Sequence, residues 1–366
     1  MPDWTQSMQR TYEYYIVDPN TWKDKQQIRT VKSCNISRDS EAETLGSNSI
    51  NIAESLGECY IRVYLITIQN GIREKHALST FLVQTPFSGF DGKSKTVSID
   101  AYTPLLELKE NPVPIGYFIP KQDTNSNTNI MDEAYKIVRE RMRAPVIRAV
   151  CDTKLQFDFV ANTNDTWLSF NSDLIANAKY RFDLDPMGQV LFSPIQDVAS
   201  LQPVWTYTDD NSSIVLPNID IEHDLYGVPN VVEIISSRGY FNPETNSISY
   251  DAIYAENNDP DSPVSIQNRG RRIVHRVVDP EMSSVMTLKV EYEEYAERLL
   301  KALSSLEYTV TYTHGYCPVR LNDCVRLDWK KAGLTNIKAR VIRQSIACTP
   351  DCPVTETAVF TKKLWR

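Results

Sequence analysis

Asp165-Thr166-Trp167-Leu168-Ser169-Phe170-Asn171-Ser172-Asp173-Leu174-Ile175-Ala176-Asn177-Ala178 reads as a short amphipathic helix. Trp167, Phe170, Leu174 and Ala178 recur on one face, and Asp165 or Thr166 can cap the start. The period then changes from helical to alternating. Tyr180, Phe182 and Leu184 point one way, Arg181 and Asp183 the other, Asp185-Pro186-Met187-Gly188 suits a type I turn, and Val190 and Phe192 begin a returning strand. From there to Arg272 come a linker and new strands without a catalytic motif, the pattern of a building element.

Upstream, Asn129 caps a second helix, with Asp132 and Glu133 in its first turn and Ile130, Ala134, Ile137, Val138 and Met142 on one stripe. Arg139, Arg141 and Arg143 suit its C-terminal end, and Pro145 stops it. With a strand expected over 155–161, these elements make a small peripheral α+β insertion, 113–199. Because both helical faces read as local, excising 121–195 should spare the folding of the flanking β-regions.

Residues 1–112 read as β-structure. A strand through Tyr12–Val17 ends at Asp18-Pro19-Asn20, others are expected near 28–36, 49–53 and 95–102, and Tyr60–Gln69 meets Asn70-Gly71, a strong two-residue hairpin signal. Residues 121–129 read as polar and irregular. Strands resume in 200–366, interrupted by a helix at about 290–305, where Tyr292, Tyr295, Ala296, Leu299, Leu300 and Leu303 share one face. An exposed loop or inter-subunit arm is expected at about 242–268. The fold class is therefore mainly β with an α+β insertion, and many evenly spaced strands favour barrels or sandwiches.

At 366 residues, with 23% charged and 42% hydrophobic residues, the chain can build its cores without disulfides. It contains no apolar run long enough to span a bilayer as a helix. Met1–Arg10 lacks the order of a secretory signal, so assembly in a cytoplasm is expected. A net charge of −8 argues against a surface built to grip nucleic acid. Seven cysteines, with Cys34, Cys59 and Cys151 far apart, fit free thiols. His314, Cys317, Cys324, Cys348 and Cys352 could in principle ligate zinc, but no C-x-x-C occurs and ordinary thiols are the preferred reading.

No nucleotide-cradling, nucleophile-elbow or metalloprotease string occurs. His76, His223, His275 and His314 each read as ordinary strand or turn residues. Asp183–Gly188 lacks the further ligands of a calcium loop and reads as a solvated hairpin tip. Glu291, Glu293, Glu294 and Glu297 read as the wet side of a helix, and Arg269-Gly270-Arg271-Arg272 as a salt-bridged loop or subunit contact. No catalytic, cofactor-binding or metal residue is assigned, and neither enzyme activity nor a cofactor is expected.

Five passages carry a resemblance. They are Tyr14-Tyr15-Ile16-Val17-Asp18 with Trp22, Ser79-Thr80-Phe81-Leu82-Val83-Gln84-Thr85-Pro86, the hairpin through Asp185–Phe192, Tyr226-Gly227-Val228-Pro229-Asn230-Val231-Val232, and Asp261–Arg271. In this order they resemble the bacteriophage tail hub, or baseplate hub, of contractile and long non-contractile tails. The resemblance implies two tail-tube-like β-barrel domains, 1–112 and 200–366, flanking the insertion. It further implies a homotrimeric, pseudo-sixfold ring in the virion tail tip that joins the tail tube or a distal tail protein to a central spike or fibre. Such a ring meets the tape-measure protein and lets viral DNA pass without specific binding. The competing reading, from six Trp, nineteen Tyr and many strands, is a carbohydrate-binding or carbohydrate-active tail-associated protein. That reading needs exposed aromatics, whereas these Tyr residues mostly alternate within expected strands.

Overall fold

A computed structural model describes residues 2–54, 56–90, 95–121, 128–211, 213–278, 280 and 286–365. Most of the polar stretch expected at 121–129 lies outside them. Seven strands come first: β1 (Gln9–Val17), β2 (Asp24–Ile28), β3 (Val31–Asp39), β4 (Gly46–Ile52), β5 (Tyr60–Gln69), β6 (Ile72–Phe90) and β7 (Lys95–Tyr102). The middle of the chain holds α1 (Leu106–Lys109), β8 (Phe118–Ile119), α2 (Ile130–Arg141), β9 (Phe159–Val160), α3 (Trp167–Ala176), β10 (Tyr180–Leu184) and β11 (Val190–Pro194). There follow β12 (Trp205–Thr208), β13 (Val215–His223), β14 (Val231–Ile235), β15 (Tyr240–Asn242), β16 (Ser247–Ser249), β17 (Ile253–Glu256), α4 (Ile266–Arg269) and β18 (Val274–Val278). The chain closes with α5 (Lys289–Leu303), β19 (Ser305–Gly315), β20 (Cys324–Trp329), β21 (Leu334–Ala347) and β22 (Pro353–Lys363).

The fold is mainly β, as the alternating pattern requires. Two compact units divide it, Met1–Ile219 with Thr311–Ala358, and Asp220–Val310 with Val359–Arg366; β13, β19 and β22 each run from one into the other. The main sheet has thirteen strands in the order β13-β19-β22-β21-β3-β4-β7-β6-β5-β1-β2, with β20 on β21 and β12 on β20. Strands from both ends of the sequence share it: β3 pairs antiparallel with β21 from Asp39 opposite Arg343 to Asn35 opposite Ala347. Its end strands, β13 and β2, do not pair with each other among the described residues, so no closed barrel is formed by this ladder.

The β5–β6 hairpin forms where Asn70-Gly71 signals it. Asn70 and Gly71 take φ of 53° and 77°, the positive values such a turn requires. Every β5 residue from Tyr60 to Thr67 is buried, so both faces of the strand are covered. One cover is the insertion. Val17, Trp22, Tyr60 and Leu82 of the sheet region share a single apolar core with Ile130, Ile137 and Val138 of α2, Trp167, Phe170 and Leu174 of α3, and Phe182 and Phe192 of the hairpin.

The helices start where expected. The Asn129 side chain accepts the N–H groups of Met131 at 2.9 Å and Asp132 at 3.2 Å, and Thr166, rather than Asp165, caps α3 in a reciprocal pair with Ser169. α3 is buried beyond its expected stripe, since Leu168, Asn171 and Ile175 are also enclosed, and Asn171 donates to the Ala134 carbonyl of α2 at 3.2 Å. The strand expected at 155–161 shrinks to Phe159–Val160, because its partner β8 is only two residues long and is followed by Pro120, which has no N–H to donate.

The insertion is therefore not a local appendage. Each large side chain it buries contributes roughly 1.5–3 kcal/mol, and removing it would expose Tyr60 and Leu82. Excision of 121–195 is accordingly expected to abolish cooperative unfolding, read by circular dichroism on heating. A soluble product that still melts sharply would restore the appendage reading.

The second unit has a three-stranded sheet, β17-β14-β18, with β18 parallel and β17 antiparallel to β14. Tyr292, Ala296 and Leu300 of α5 pack on Val232, Ile234 and Ile253, which accounts for the helix's apolar face. Glu291 is more than a wet-side residue: it caps α5 by accepting the N–H groups of Thr287 at 2.7 Å and Leu288 at 2.9 Å. The segment at 242–268 is largely exposed, as expected, but carries regular structure. It contains β16, β17 and most of α4, and buries Val264 together with Asn257, Ser262 and Ser265, whose polar groups are paired: Asn257 donates to Ser262 Oγ at 2.9 Å and Ser265 Oγ accepts the Asn268 N–H at 3.2 Å.

Candidate functional sites: two packing joints and a buried polar cluster

In the first unit, three of the resembling passages converge on one joint. Arg62 of β5, 1% exposed, donates from Nη1 to Asp24 Oδ1 at 2.8 Å, from Nε to Thr80 Oγ1 at 3.0 Å, and from Nη2 to the carbonyls of Met187 at 3.0 Å and Trp22 at 3.3 Å. Trp22 Nε1 donates to the same Met187 carbonyl at 2.8 Å. Trp22 itself adopts a φ of 57°, which lets its indole turn back from the Asp18 turn to meet Tyr60 edge-on. Gly188 closes the joint at φ +77°, where an added Cβ would lie 2.7 Å from Thr80 Cβ. The Asp185–Gly188 tip is thus docked on the sheet rather than solvated. Its turn amides bond within the turn, with Gly188 N–H donating to the Asp185 carbonyl at 2.9 Å and Gln189 N–H to Asp185 Oδ1 at 2.7 Å.

The other two passages meet in the second unit. Buried Asn230 donates to the Arg271 carbonyl at 2.9 Å and accepts the Ile273 N–H at 2.7 Å. Arg269 donates to the carbonyls of Val228 and Leu225. Arg272 pairs with Glu256 at 2.7 Å, so the basic run forms a salt-bridged loop. Ser262 donates to the Leu364 carbonyl at 2.8 Å.

A polar cluster lies inside the first unit, among strands β12, β19, β21 and β22. Glu356 is fully buried; Tyr312 O–H donates to its Oε1 and Gln344 Nε2 to its Oε2 at 2.7 Å. His314, also buried, lies with Nε2 3.5 Å from Glu356 and 3.1 Å from the Tyr207 hydroxyl, while Nδ1 donates to the Gly315 carbonyl at 2.7 Å. Burial alone would push the His314 pKa down, but Cys317 and the Glu356 carboxyl beside the ring overcome this and raise it to about 10. Burial first, and then Glu356, hold the phenols of Tyr207 and Tyr312 well above their usual range.

Cys, His and Glu together suggest nucleophilic catalysis, but the geometry points elsewhere. Cys317 Sγ is 3.9 Å from His314 Nδ1, whose proton is already committed to Gly315, and Cys317, His314 and Glu356 are 2%, 1% and 0% exposed. A substrate would have no approach. The five candidate zinc ligands are also separated. Cys317 is beside His314, Cys324 faces the Val198 carbonyl, and Cys348 and Cys352 lie near Cys34 and Tyr12 respectively. Among the described residues no group of three or more His, Cys, Asp or Glu side chains is arranged to hold a metal. Of the other histidines, His76 contacts Thr67 Oγ1 at 3.1 Å and His223 stacks on Tyr308, as structural residues do.

Large apolar side chains are exposed at many positions, and two groups of them lie on paired strands. Phe118 and Val160, paired across β8 and β9, are exposed in the insertion, as are Ile115 and Phe157. In the second unit Val274, Val278 and Tyr254 are exposed on the sheet. Contiguous exposed apolar patches mark contacts with other chains, membranes or ligands.

No family model and no curated protein matches the sequence. Solved structures do. The tail protein from Neisseria meningitidis MC58 is similar at TM-score 0.60 and 14% identity over 97% of this chain and 98% of that one. The chain has the fold of a tail protein. The 43 kDa tail protein of prophage MuSo2 from Shewanella oneidensis is similar at TM-score 0.60 and 11% identity, over 95% of this chain and 98% of that one. The shared architecture extends over nearly the whole length of each chain, so both units and the insertion belong to it.

Proposed function

We propose that the chain is a structural protein of a bacteriophage tail, acting as a hub. The carrying observation is the fold shared end to end with two tail proteins. The buried, spent donors of the His314 cluster agree with a structural rather than a catalytic part, and the exposed apolar patches supply surfaces for neighbours. In this reading two tube-like domains per chain, flanking the insertion, form a homotrimeric ring with six near-equivalent positions. One face meets the tail tube or a distal tail protein, and the other a threefold spike or fibre. The tape-measure protein and viral DNA occupy or cross the channel, and the acidic balance limits DNA sticking. A ring also solves an edge problem, since strands at the ends of an open sheet are protected when they pair or pack between copies. The ring belongs to the virion tail tip and is assembled in the host cytoplasm.

Native mass spectrometry at high protein concentration, with cryo-electron microscopy of tail tips, tests this. Three copies per ring are expected. A stable monomer at all concentrations, or a ring of six chains, would overturn the hub assignment.

A further inference from the structure

β3 and β21 bring two cysteines face to face. Their register, Asp39 opposite Arg343 through Asn35 opposite Ala347, continues to Cys34 opposite Cys348, and the Cys348 N–H donates to the Cys34 carbonyl at 3.0 Å. Directly opposite residues of an antiparallel pair have Cα atoms about 4.5–5.5 Å apart, within the roughly 4.4–6.8 Å that a disulfide spans. Strand alternation places Cys34 with Ile36, and Cys348 with Ile346, on the inner face, where both isoleucines are buried. Cys34 is the neighbour that most perturbs the Cys348 thiol, ahead of burial itself. Both are free, Cys34 buried and Cys348 partly exposed.

We propose that Cys34 and Cys348 form a cross-strand oxidation site, closed to a disulfide by exchange with a small disulfide such as oxidised glutathione. The more accessible Cys348 thiolate attacks one sulfur of the oxidant, breaking its S–S bond, releasing one thiol and leaving a mixed disulfide. Cys34, deprotonated in turn, attacks the Cys348 sulfur and expels the second thiol. The protein loses two electrons and two protons; the oxidant gains them as two thiols.

The nearest rival partner is Cys352, but it is fully buried, its N–H is turned to the Thr349 carbonyl, and its thiol lies against Tyr12 rather than across the ladder. Cys34 beside it, together with burial, pushes the Cys348 thiol up, so exchange quickens towards alkaline pH. The bond would staple a strand from near the start of the chain to one from near its end, across the ladder that unites them. A cytoplasm keeps such a pair reduced; an oxidising exterior closes it.

The test exposes the purified full chain to oxidised glutathione at mildly alkaline pH, blocks remaining thiols by alkylation, and maps peptides without reduction. The expected result is loss of two of the seven thiols, a single linked peptide joining Cys34 and Cys348, and an upward shift of the melting temperature that dithiothreitol reverses. Cys348→Ser should abolish both link and shift, and because the wild-type map is read independently, a poorly folding variant does not blur the outcome. Seven thiols after prolonged exposure, glutathione adducts alone, or a link from Cys348 to Cys352 would overturn the proposal.

Discussion

Arg62→Ala is expected to lower the unfolding free energy by about 3–5 kcal/mol, the usual cost of removing one partner from a buried ion pair. The guanidinium is 1% exposed and its donors reach Asp24, Thr80, Trp22 and Met187, so truncation takes from Asp24 its closer cation, leaving Lys75 at 3.9 Å, and from two carbonyls a charged donor. It also unhooks the docked hairpin from the sheet. Arg62→Lys should rescue only part of the loss, because an ammonium cannot reproduce a planar fork that serves two side chains and two carbonyls. Urea unfolding of the three proteins checks this. A change under about 1 kcal/mol for Arg62→Ala would place it within the range of exposed ion pairs and show that apolar packing alone holds the insertion.

The parts of the fold that were legible in the sequence are those decided over a few residues. Asn70-Gly71 sets its own φ values, Asn129 caps the amides two and three residues on, and the α5 stripe follows from spacing alone. The Arg62 joint depends on groups far apart, with Trp22 and Met187 separated by 165 positions. Turn chemistry predicted the conformation at Asp185–Gly188 but carried no information about what would surround it, so a tip that looks solvated by composition is docked. The same limit applies to the insertion, whose helical stripes showed that something must be buried but not that β5 and β6 would cover it. His314 looked like an ordinary strand residue because its partner Glu356 comes from another strand. One signal was present: Val354, Glu356 and Ala358 alternate on one face of β22, and a carboxyl at an inward position needs donors.

Stability is expected to fall as pH rises from about 6.5 towards 10, with a His314-dependent slope of at most about 1.4 kcal/mol per pH unit. The folded chain holds the His314 proton up to a pKa of about 10, whereas an unfolded chain releases it near the ordinary imidazole value of about 6.5. Below the lower value both states are protonated and the full contribution is present. Between the two values only the folded state keeps the proton, so each step upward favours unfolding. Above the folded value the imidazolium is gone and its attraction to Glu356 is lost. His314→Gln should flatten this part of the profile while lowering stability at neutral pH. Glu356→Gln leaves the ring near Tyr207 and Gly315 but removes the opposing carboxylate, so it should cost several kcal/mol at neutral pH and bring the inflection down. Urea midpoints measured across the range would test the assignment. If wild type and His314→Gln show the same slope, the buried histidine is neutral throughout and the cluster is held by neutral hydrogen bonds alone.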